Sequence, residues 1–178
     1  SGNPIVYISF GTLMHADKRF WKKLIGAFAN KRVEVICSVG SEKLARSLGD
    51  LPPNVRVFSK VPQLTLLCRA ALFVTHGGMN SVNEALYYGV PMIVLPFGLD
   101  QPLVGQELAQ HKLGRLIAPQ ELTSARLWRT AKELLRDPEA RKARLAMKRK
   151  MQASGGNREV TRRILEDLAA RDARGAAE

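Results

Sequence analysis

The stretch Thr75–Gln101, THGGMNSVNEALYYGVPMIVLPFGLDQ, decides the fold. It continues an apolar run that ends at Thr75, and it divides into a glycine-rich turn, a helical segment closed by Gly89 and a second apolar run, Val90–Leu95. A strand, a turn, a helix and a second strand in this order predict a parallel β-α-β unit. In such a unit the turn before the helix directs backbone N–H groups into a crevice where a phosphorylated ligand can bind.

The rest of the chain repeats this alternation of apolar runs and helical segments. We predict strands at 4–10, 33–39, 55–58, 71–75, 91–95 and 114–117, and helices at 17–30, 41–48, 62–67, 80–88, 100–111, 123–136, 138–152 and 157–171. The strands are too apolar to have one face in water, which predicts an α/β fold with a parallel sheet of about six strands and helices on both faces. We expect one domain over residues 1–178 with a frayed tail at 172–178.

Cysteine usage and hydropathy predict the compartment. Cys37 and Cys68 have no metal-binding or redox spacing and lie in apolar stretches, so we predict two buried, reduced thiols. No apolar run approaches the roughly 20 residues that span a bilayer, and the first residues show no secretion signal. These features predict a cytoplasmic protein without a transmembrane segment.

The formal net charge of +12 is concentrated toward the end of the chain. Lys and Arg accumulate after residue 126, and the densest run is RKARLAMKRK at 141–150. We interpret this run as solvated helix faces, because it contains no aromatic residue and no zinc-finger or RNA-binding signature is present. We therefore expect no nucleic acid as a partner. Nucleic-acid binding, an anionic membrane surface and an acidic partner domain remain the alternatives.

The turn at His76–Gly78 carries the chemistry that the sequence indicates. The chain has neither a GxxxxGK motif followed by Ser or Thr nor a GxGxxG motif after its first strand. The turn has the same physical logic, because glycines allow close backbone approach and a helix N-terminus carries about half a positive charge. N–H groups from Gly78 to Val82 can hold a diphosphate without a metal ion, and His76 can donate a ring N–H to it.

Each of these residues also has a structural interpretation. Ser81 and Glu84 have the spacing of a capping box, and Asn80 and Asp100 are suited to be helix N-caps. His76 taken alone would be a structural histidine. The residues taken singly leave both interpretations open.

Their combination resembles the donor-binding signature of the UDP-glycosyltransferase family, which includes macrolide and plant natural-product enzymes. The family pattern is Pro-Gln, then Thr-His-x-Gly-x-Asn-Ser-x-x-Glu, then Gly-Val-Pro, and then Pro-x-x-x-Asp-Gln. The corresponding segments here are Pro62-Gln63, residues 75–84, Gly89-Val90-Pro91 and residues 96–101. The opening IVYISFGT, which ends in Gly11-Thr12, resembles the first strand of that family's C-terminal domain.

The resemblance implies a Rossmann-like sheet that forms one half of a GT-B fold. It implies a domain that binds UDP- or dTDP-hexose as the donor of an inverting, metal-independent glycosyltransferase, with no cofactor besides this substrate. His76, Gly78, Asn80 and Ser81 would contact the diphosphate, Glu84 the ribose, Val61 and Gln63 the base and ribose, Asp100 and Gln101 the sugar, and Gly11 and Thr12 the phosphates and sugar.

Two positions depart from the family pattern. Many relatives carry a tryptophan that stacks on the base two residues before the proline of Pro-Gln, and this chain has Lys60 there. Relatives often have an asparagine three residues after the Asp-Gln pair, and this chain has Val104. The sequence therefore leaves the choice between uracil and thymine open.

The resemblance also implies a partner. Family members have a second, N-terminal domain that holds the acceptor and a catalytic histidine backed by an aspartate, and His15 and His111 do not match that motif. We therefore expect no catalytic base in this chain, and we expect it to bind donor but to transfer nothing without the acceptor domain. The alternatives are a stand-alone donor subunit of a split UDP-GlcNAc transferase, a related UDP-sugar epimerase, and a nucleic-acid-binding protein that uses the basic helices.

Overall fold

The computed structural model describes residues 2–11 and 16–175, which form one six-stranded parallel sheet with helices on both faces. The strands are β1 (Ile5–Ser9), β2 (Glu34–Ser38), β3 (Val55–Phe58), β4 (Ala70–Thr75), β5 (Met92–Val94) and β6 (Gly114–Leu116). Their order in the sheet is β3-β2-β1-β4-β5-β6. This is the doubly wound order of the Rossmann fold, so the predicted fold class is confirmed.

The helices of the described residues follow the predicted alternation. They are α1 (Lys18–Phe28), α2 (Glu42–Ser47), α3 (Gln63–Leu67), α4 (Met79–Tyr88), α5 (Gln101–Gln110), α6 (Ser124–Arg136), α7 (Pro138–Ala153) and α8 (Gly156–Gly175). A three-residue 3-10 helix at Pro119–Glu121 was not predicted, because so short a segment has no hydrophobic periodicity. Helix α8 extends four residues beyond its predicted end and includes the first residues of the tail expected to fray; residues 176–178 lie outside the described residues.

The sheet separates two apolar layers because side chains alternate along each strand. On β1, Val6 and Ile8 face the layer that contains Leu24 and Phe28 of α1. Tyr7 faces the other layer, which contains Val82 of α4. Burial on both faces explains why the strands read as continuous apolar runs instead of alternating ones.

The chain reverses its direction of winding between β1 and β4, which are neighbours in the middle of the sheet. Ser9, the last residue of β1, pairs with Ser38 of β2 and with Thr75 of β4. The loops that follow these strands therefore leave the same edge of the sheet side by side. Ligands of open parallel sheets bind in the crevice at such a switch point.

One prediction about the cysteines is wrong. Cys37 on β2 is buried, and burial raises its pKa to about 12. Cys68 is exposed, and its Sγ lies 3.0 Å from the carbonyl oxygen of Thr65. It follows the five-residue helix α3, which buries only Leu67, so the apolar sequence around Cys68 does not mean that the thiol is covered.

Candidate functional site

Two adjoining clefts open at the carboxyl ends of the central strands. The first has a volume of about 410 Å³ and is lined by Phe10, Gly11, His76, Gly78, Met79, Asn80, Ser81, Leu99, Asp100 and Gln101. The second has a volume of about 280 Å³ and is lined by Tyr7, Ser9, Gly11, Ser38, Gly40, Ser59, Lys60, Val61, Gln63 and Ser81. Gly11 and Ser81 belong to both, so the clefts form one continuous crevice. The structure thus brings together predicted site residues from four segments of the chain: the loop after β1 and the starts of α3, α4 and α5.

Helix α4 begins at the floor of the first cleft without a side-chain cap. Gly78 is the N-cap, with φ −63° and ψ 133°, and its carbonyl oxygen accepts the first helical hydrogen bond from the Val82 N–H at 3.0 Å. The interpretations of Asn80 as N-cap and of Ser81 with Glu84 as a capping box are wrong, because the helix starts before both. The N–H groups of the first turn have no carbonyl partner within the helix, and the residues that carry them line the cleft.

Glycines on two loops make room for the His76 ring. A Cβ atom at position 11 would lie 3.3 Å from Cε1 of His76, and a Cβ atom at position 78 would overlap Nε2. Gly11 also has φ 72°, a conformation that residues with a side chain rarely adopt. The imidazole is therefore held between the loop after β1 and the start of α4.

The electrostatics of His76 favour a neutral ring. Burial lowers its pKa, and the carboxylate of Asp100 opposes this shift by favouring the imidazolium. Nδ1 is buried and has no hydrogen-bond partner among the described residues. A neutral imidazole has one nitrogen that donates and one that accepts, so the ring can donate to an anionic ligand while uncharged.

A hydrogen-bonded network connects three predicted site residues with one that sequence analysis missed. Tyr7 Oη donates to Oε1 of Gln63 at 3.0 Å. Nε2 of Gln63 donates to Ser81 Oγ at 3.2 Å and to Glu84 Oε2 at 2.7 Å. Tyr7 was overlooked because it lies inside an apolar strand; a phenol between Val6 and Ile8, in a strand buried on both faces, was the available signal.

The loop before α5 presents Asp100 to the first cleft. Asp100 occupies the N-cap position but is in the α-helical region, with φ −79° and ψ −10°, and its side chain caps no N–H group. The interpretation of this carboxylate as a helix cap is therefore wrong. Gln101 is buried, and its Oε1 accepts from the Phe97 N–H at 2.8 Å, which closes the loop over residues 97–101. Leu99 within this loop has φ 58°.

The second cleft has Val61 half-buried and Lys60 exposed at its rim. Val104, at the other departure from the family pattern, packs against the core layer of α4. His111 follows the last turn of α5 at the surface, and its Nε2 lies 3.6 Å from Oε2 of Glu107. Thr12 and His15 lie outside the described residues.

Within the described ranges the chain carries no constellation for a metal ion. No three His, Cys, Asp or Glu side chains converge closely enough in residues 2–11 and 16–175 to hold one. Most cations of the 141–150 run are exposed on α7, as expected for a solvated face, although Arg144 is buried.

No helix in the part of the chain that the structure describes is long and apolar enough to cross a membrane.

Known proteins are similar to this chain in sequence and in fold. Residues 22–168 match the family described as erythromycin biosynthesis protein CIII-like, C-terminal domain. The NDP-glycosyltransferase YjiC of Bacillus licheniformis is 35% identical over 156 residues, which cover 88% of this chain and 39% of that protein. The chain thus spans about two fifths of the length of such curated relatives.

Solved structures of glycosyltransferases are similar to this chain in fold. The glycotransferase of kitacinnamycin superposes with a TM-score of 0.85 at 32% identity, over 93% of this chain and 43% of that one. The glycosyltransferase VinC in complex with dTDP superposes with a TM-score of 0.72 at 27% identity, over 84% of this chain and 38% of that one. The predicted resemblance to one half of a GT-B glycosyltransferase is confirmed. The chain belongs to the family of EryCIII-like C-terminal domains of glycosyltransferases.

Proposed function

We propose that the chain binds a nucleoside-diphosphate sugar, UDP- or dTDP-hexose, as the donor domain of an inverting, metal-independent glycosyltransferase. The observation that carries the proposal is the uncapped start of α4, whose first-turn residues line a cleft beside His76. A helix N-terminus of this kind stabilises a phosphate group through N–H donors and the helix dipole. The similarity to VinC, which was solved in complex with dTDP, supports the same ligand class.

The geometry suggests an order for the parts of the donor along the crevice. The diphosphate lies over the first turn of α4, with His76 and the Ser81 hydroxyl as additional donors. The ribose lies toward Glu84, and the base enters the second cleft beside Val61 and Lys60. The sugar lies at Asp100 and Gln101, which also line the first cleft.

In the proposed reaction a base on the acceptor domain removes the proton of an acceptor hydroxyl, whose oxygen attacks the anomeric carbon. The bond from that carbon to the diphosphate oxygen breaks, and the electron pair leaves with the nucleoside diphosphate. The growing negative charge is stabilised by the N–H groups of α4 and by the ring N–H of His76. Donors aimed at such a charge typically contribute about 10²- to 10³-fold each in rate.

The acceptor domain is the proposed partner. The chain corresponds to about two fifths of its relatives, such as the 39% of YjiC that it covers. Helix α8 carries a half-exposed apolar stripe at Val160, Ile164 and Leu168, spaced four residues apart on one face. A further domain packed against this stripe would cover it. A natural stand-alone donor subunit would use the same surface for a separate partner chain.

Calorimetric titration of the chain with UDP, dTDP and GDP, followed by their glucose forms, tests the proposal. We expect binding of UDP or dTDP, retention of the preference in the sugar forms, and no glycosyl transfer to acceptors by the chain alone. His76→Ala should weaken binding, whereas His111→Ala is the control and should not. Absence of binding by every nucleotide, or a salt-dependent affinity for nucleic acid in its place, contradicts the proposed function.

A further inference from the structure

We propose that Tyr7 is a positioning residue of the donor site: its phenol fixes the Gln63 amide so that the Ser81 hydroxyl points to the diphosphate and Glu84 keeps an oxygen for the ribose. The inference rests on the proposed function, since it assigns the ligand groups that these two side chains meet. Tyr7 borders the second cleft but is almost fully buried, so it acts on the donor through Gln63, to which its hydroxyl donates.

The phenol of Tyr7 is a hydrogen-bond donor with a fixed position. Tyr7 is 1% exposed, and its ring stacks on Phe73 with centroids 4.9 Å apart and planes inclined by 7°. Burial raises its pKa, so the oxygen retains its hydrogen at physiological pH. That single hydrogen is donated to Oε1 of Gln63 at 3.0 Å.

The hydrogen bond from Tyr7 fixes the orientation of the Gln63 amide at the cleft. With Oε1 held by Tyr7, Nε2 faces the other way and donates its two hydrogens to Ser81 and Glu84 at 3.2 and 2.7 Å. The opposite orientation would place the amide oxygen against the Glu84 carboxylate. Both amide hydrogens are thus used inside the protein, so Gln63 contributes by orienting its neighbours.

The hydrogen bonds from the Gln63 amide give Ser81 and Glu84 different roles toward a ligand. Ser81 Oγ accepts from Gln63, so its own hydrogen points elsewhere, and Ser81 lines both clefts. Glu84 accepts through Oε2, which leaves Oε1 to accept from the hydroxyls of a ribose. One end of the network therefore donates to a phosphate oxygen while the other accepts from a sugar hydroxyl.

Tyr7 is needed because Glu84 alone does not fix the amide. The hydrogen bond to Glu84 holds one edge of Gln63, and without a second anchor the pair can swing together away from Ser81. The stacked ring of Tyr7 belongs to the sheet and cannot follow. Removal of the phenol oxygen should loosen Gln63, Ser81 and Glu84 together while the ring keeps its packing.

The test is a double-mutant cycle on UDP and dTDP binding, measured by calorimetry. Tyr7→Phe keeps the ring and should weaken binding by about five- to tenfold, the effect of one hydrogen bond. In a Gln63→Met background, Tyr7→Phe should have no further effect, because the residue through which it acts is gone. Tyr87→Phe is the matched control, since Tyr87 is exposed on α4, and it should bind like the wild type.

The outcomes separate this inference from the proposed function. Equal binding by wild type and Tyr7→Phe, or additive losses in the double variant, would overturn the role of Tyr7 while donor binding stands. Absence of binding by the wild type would overturn both. Gln63→Asn, at a half-buried position on α3, is an independent measurement. The shorter asparagine side chain cannot reach Tyr7 and Glu84 together, so this variant should also lose affinity for UDP and dTDP. Unchanged binding would contradict the inference.

Discussion

Helices α4 and α5, which begin at the first cleft, differ from α6 and α7, which begin away from it. Thr123 Oγ1 caps α6 by accepting from the Arg126 N–H at 3.0 Å, and Asp137 Oδ1 caps α7 by accepting from the Ala140 N–H at 3.0 Å. Helices α4 and α5 have no side-chain cap: the N-cap of α4 is Gly78, and the Asp100 carboxylate at α5 makes no capping hydrogen bond. A cap stabilises a helix by about 1 kcal/mol, so its absence at two neighbouring starts has a cost.

The difference indicates what each set of N–H groups does. A capped helix start is satisfied within the protein and contributes to stability. An uncapped start at the edge of a cleft keeps its N–H donors and its dipole for a ligand. The comparison therefore predicts that changes at α4 and α5 alter binding and reaction, whereas changes at α6 and α7 alter stability alone.

The largest effect is expected from His76→Ala in an enzyme that carries both domains. The variant loses a donor to the departing diphosphate, so kcat should fall by at least about 10²-fold. Steady-state kinetics with UDP- or dTDP-glucose measure it. His111→Ala, which changes an exposed residue paired with Glu107, should retain its rate. Turnover near that of the wild type in His76→Ala would contradict the assignment.

Gly78→Ala tests why the start of α4 has no side chain. The new Cβ would overlap Nε2 of His76, so either the ring or the helix start must move. An overpacked site of this kind costs about 1–3 kcal/mol, and we expect UDP binding to fall about tenfold or more. Calorimetry measures the affinity and chemical denaturation the stability. Gly49→Ala, at a glycine with open space around it but with φ 72°, should lower stability and leave binding unchanged.

Thr123→Ala tests the other side of the comparison. Loss of the cap on α6 should lower the free energy of unfolding by about 1 kcal/mol and leave nucleotide affinity unchanged. Thr123→Ser keeps an oxygen in place and should restore most of the stability. A change in affinity equal to that of Gly78→Ala would show that the two sets of helix starts are not functionally distinct.

The protonation of His76 makes the stability of the fold depend on pH. Burial lowers its pKa below the ordinary value of about 6.5, so the unfolded state binds more protons as the pH falls through this region. The contribution of His76 to stability is therefore present above about pH 6.5 and is lost as the pH falls further.

A bound diphosphate reverses the direction of this shift, because its negative charge favours the imidazolium. UDP-glucose, which has no phosphate group that titrates near neutral pH, should bind with proton uptake and more tightly at pH 6 than at pH 8. Calorimetry in two buffers of different ionisation enthalpy measures the uptake. His76→Asn should abolish it; the same uptake in that variant would place the proton elsewhere.

The sequence was sufficient to predict the sheet and about half of the residues that line the crevice. Local signals were enough for many elements. The apolar run Val55–Phe58 is a strand as predicted, and Gly89 ends α4 with φ 72°. The order of residues from His76 to Glu84 was sufficient to predict a cleft, because parallel strands bring their following loops to one edge.

What the sequence could not predict depends on contacts between distant segments. Tyr7 and Gln63 are 56 residues apart, and neither position indicates that a phenol will hold an amide. The start of α4 was predicted too late because Asn80 is a typical cap residue, whereas Gly78 is selected by the His76 ring beside it. Exposure of Cys68 likewise depends on which face of a short helix meets the sheet.

The smallest expected effect concerns Leu99, which precedes the uncapped start of α5. Leu99 is 94% exposed and has φ 58°, so its side chain contributes little burial while its backbone is in a conformation that costs about 1–2 kcal/mol. Leu99→Gly should therefore raise the free energy of unfolding by up to about 1 kcal/mol, after the greater flexibility of glycine in the unfolded chain is included. The matched control is Leu103→Gly, an exposed position within α5, which should lower stability by about 1 kcal/mol because glycine is a poor helix former. Chemical denaturation of both variants measures these opposite signs. A loss of stability in Leu99→Gly would show that contacts of the leucine side chain hold the left-handed backbone in place and outweigh its strain.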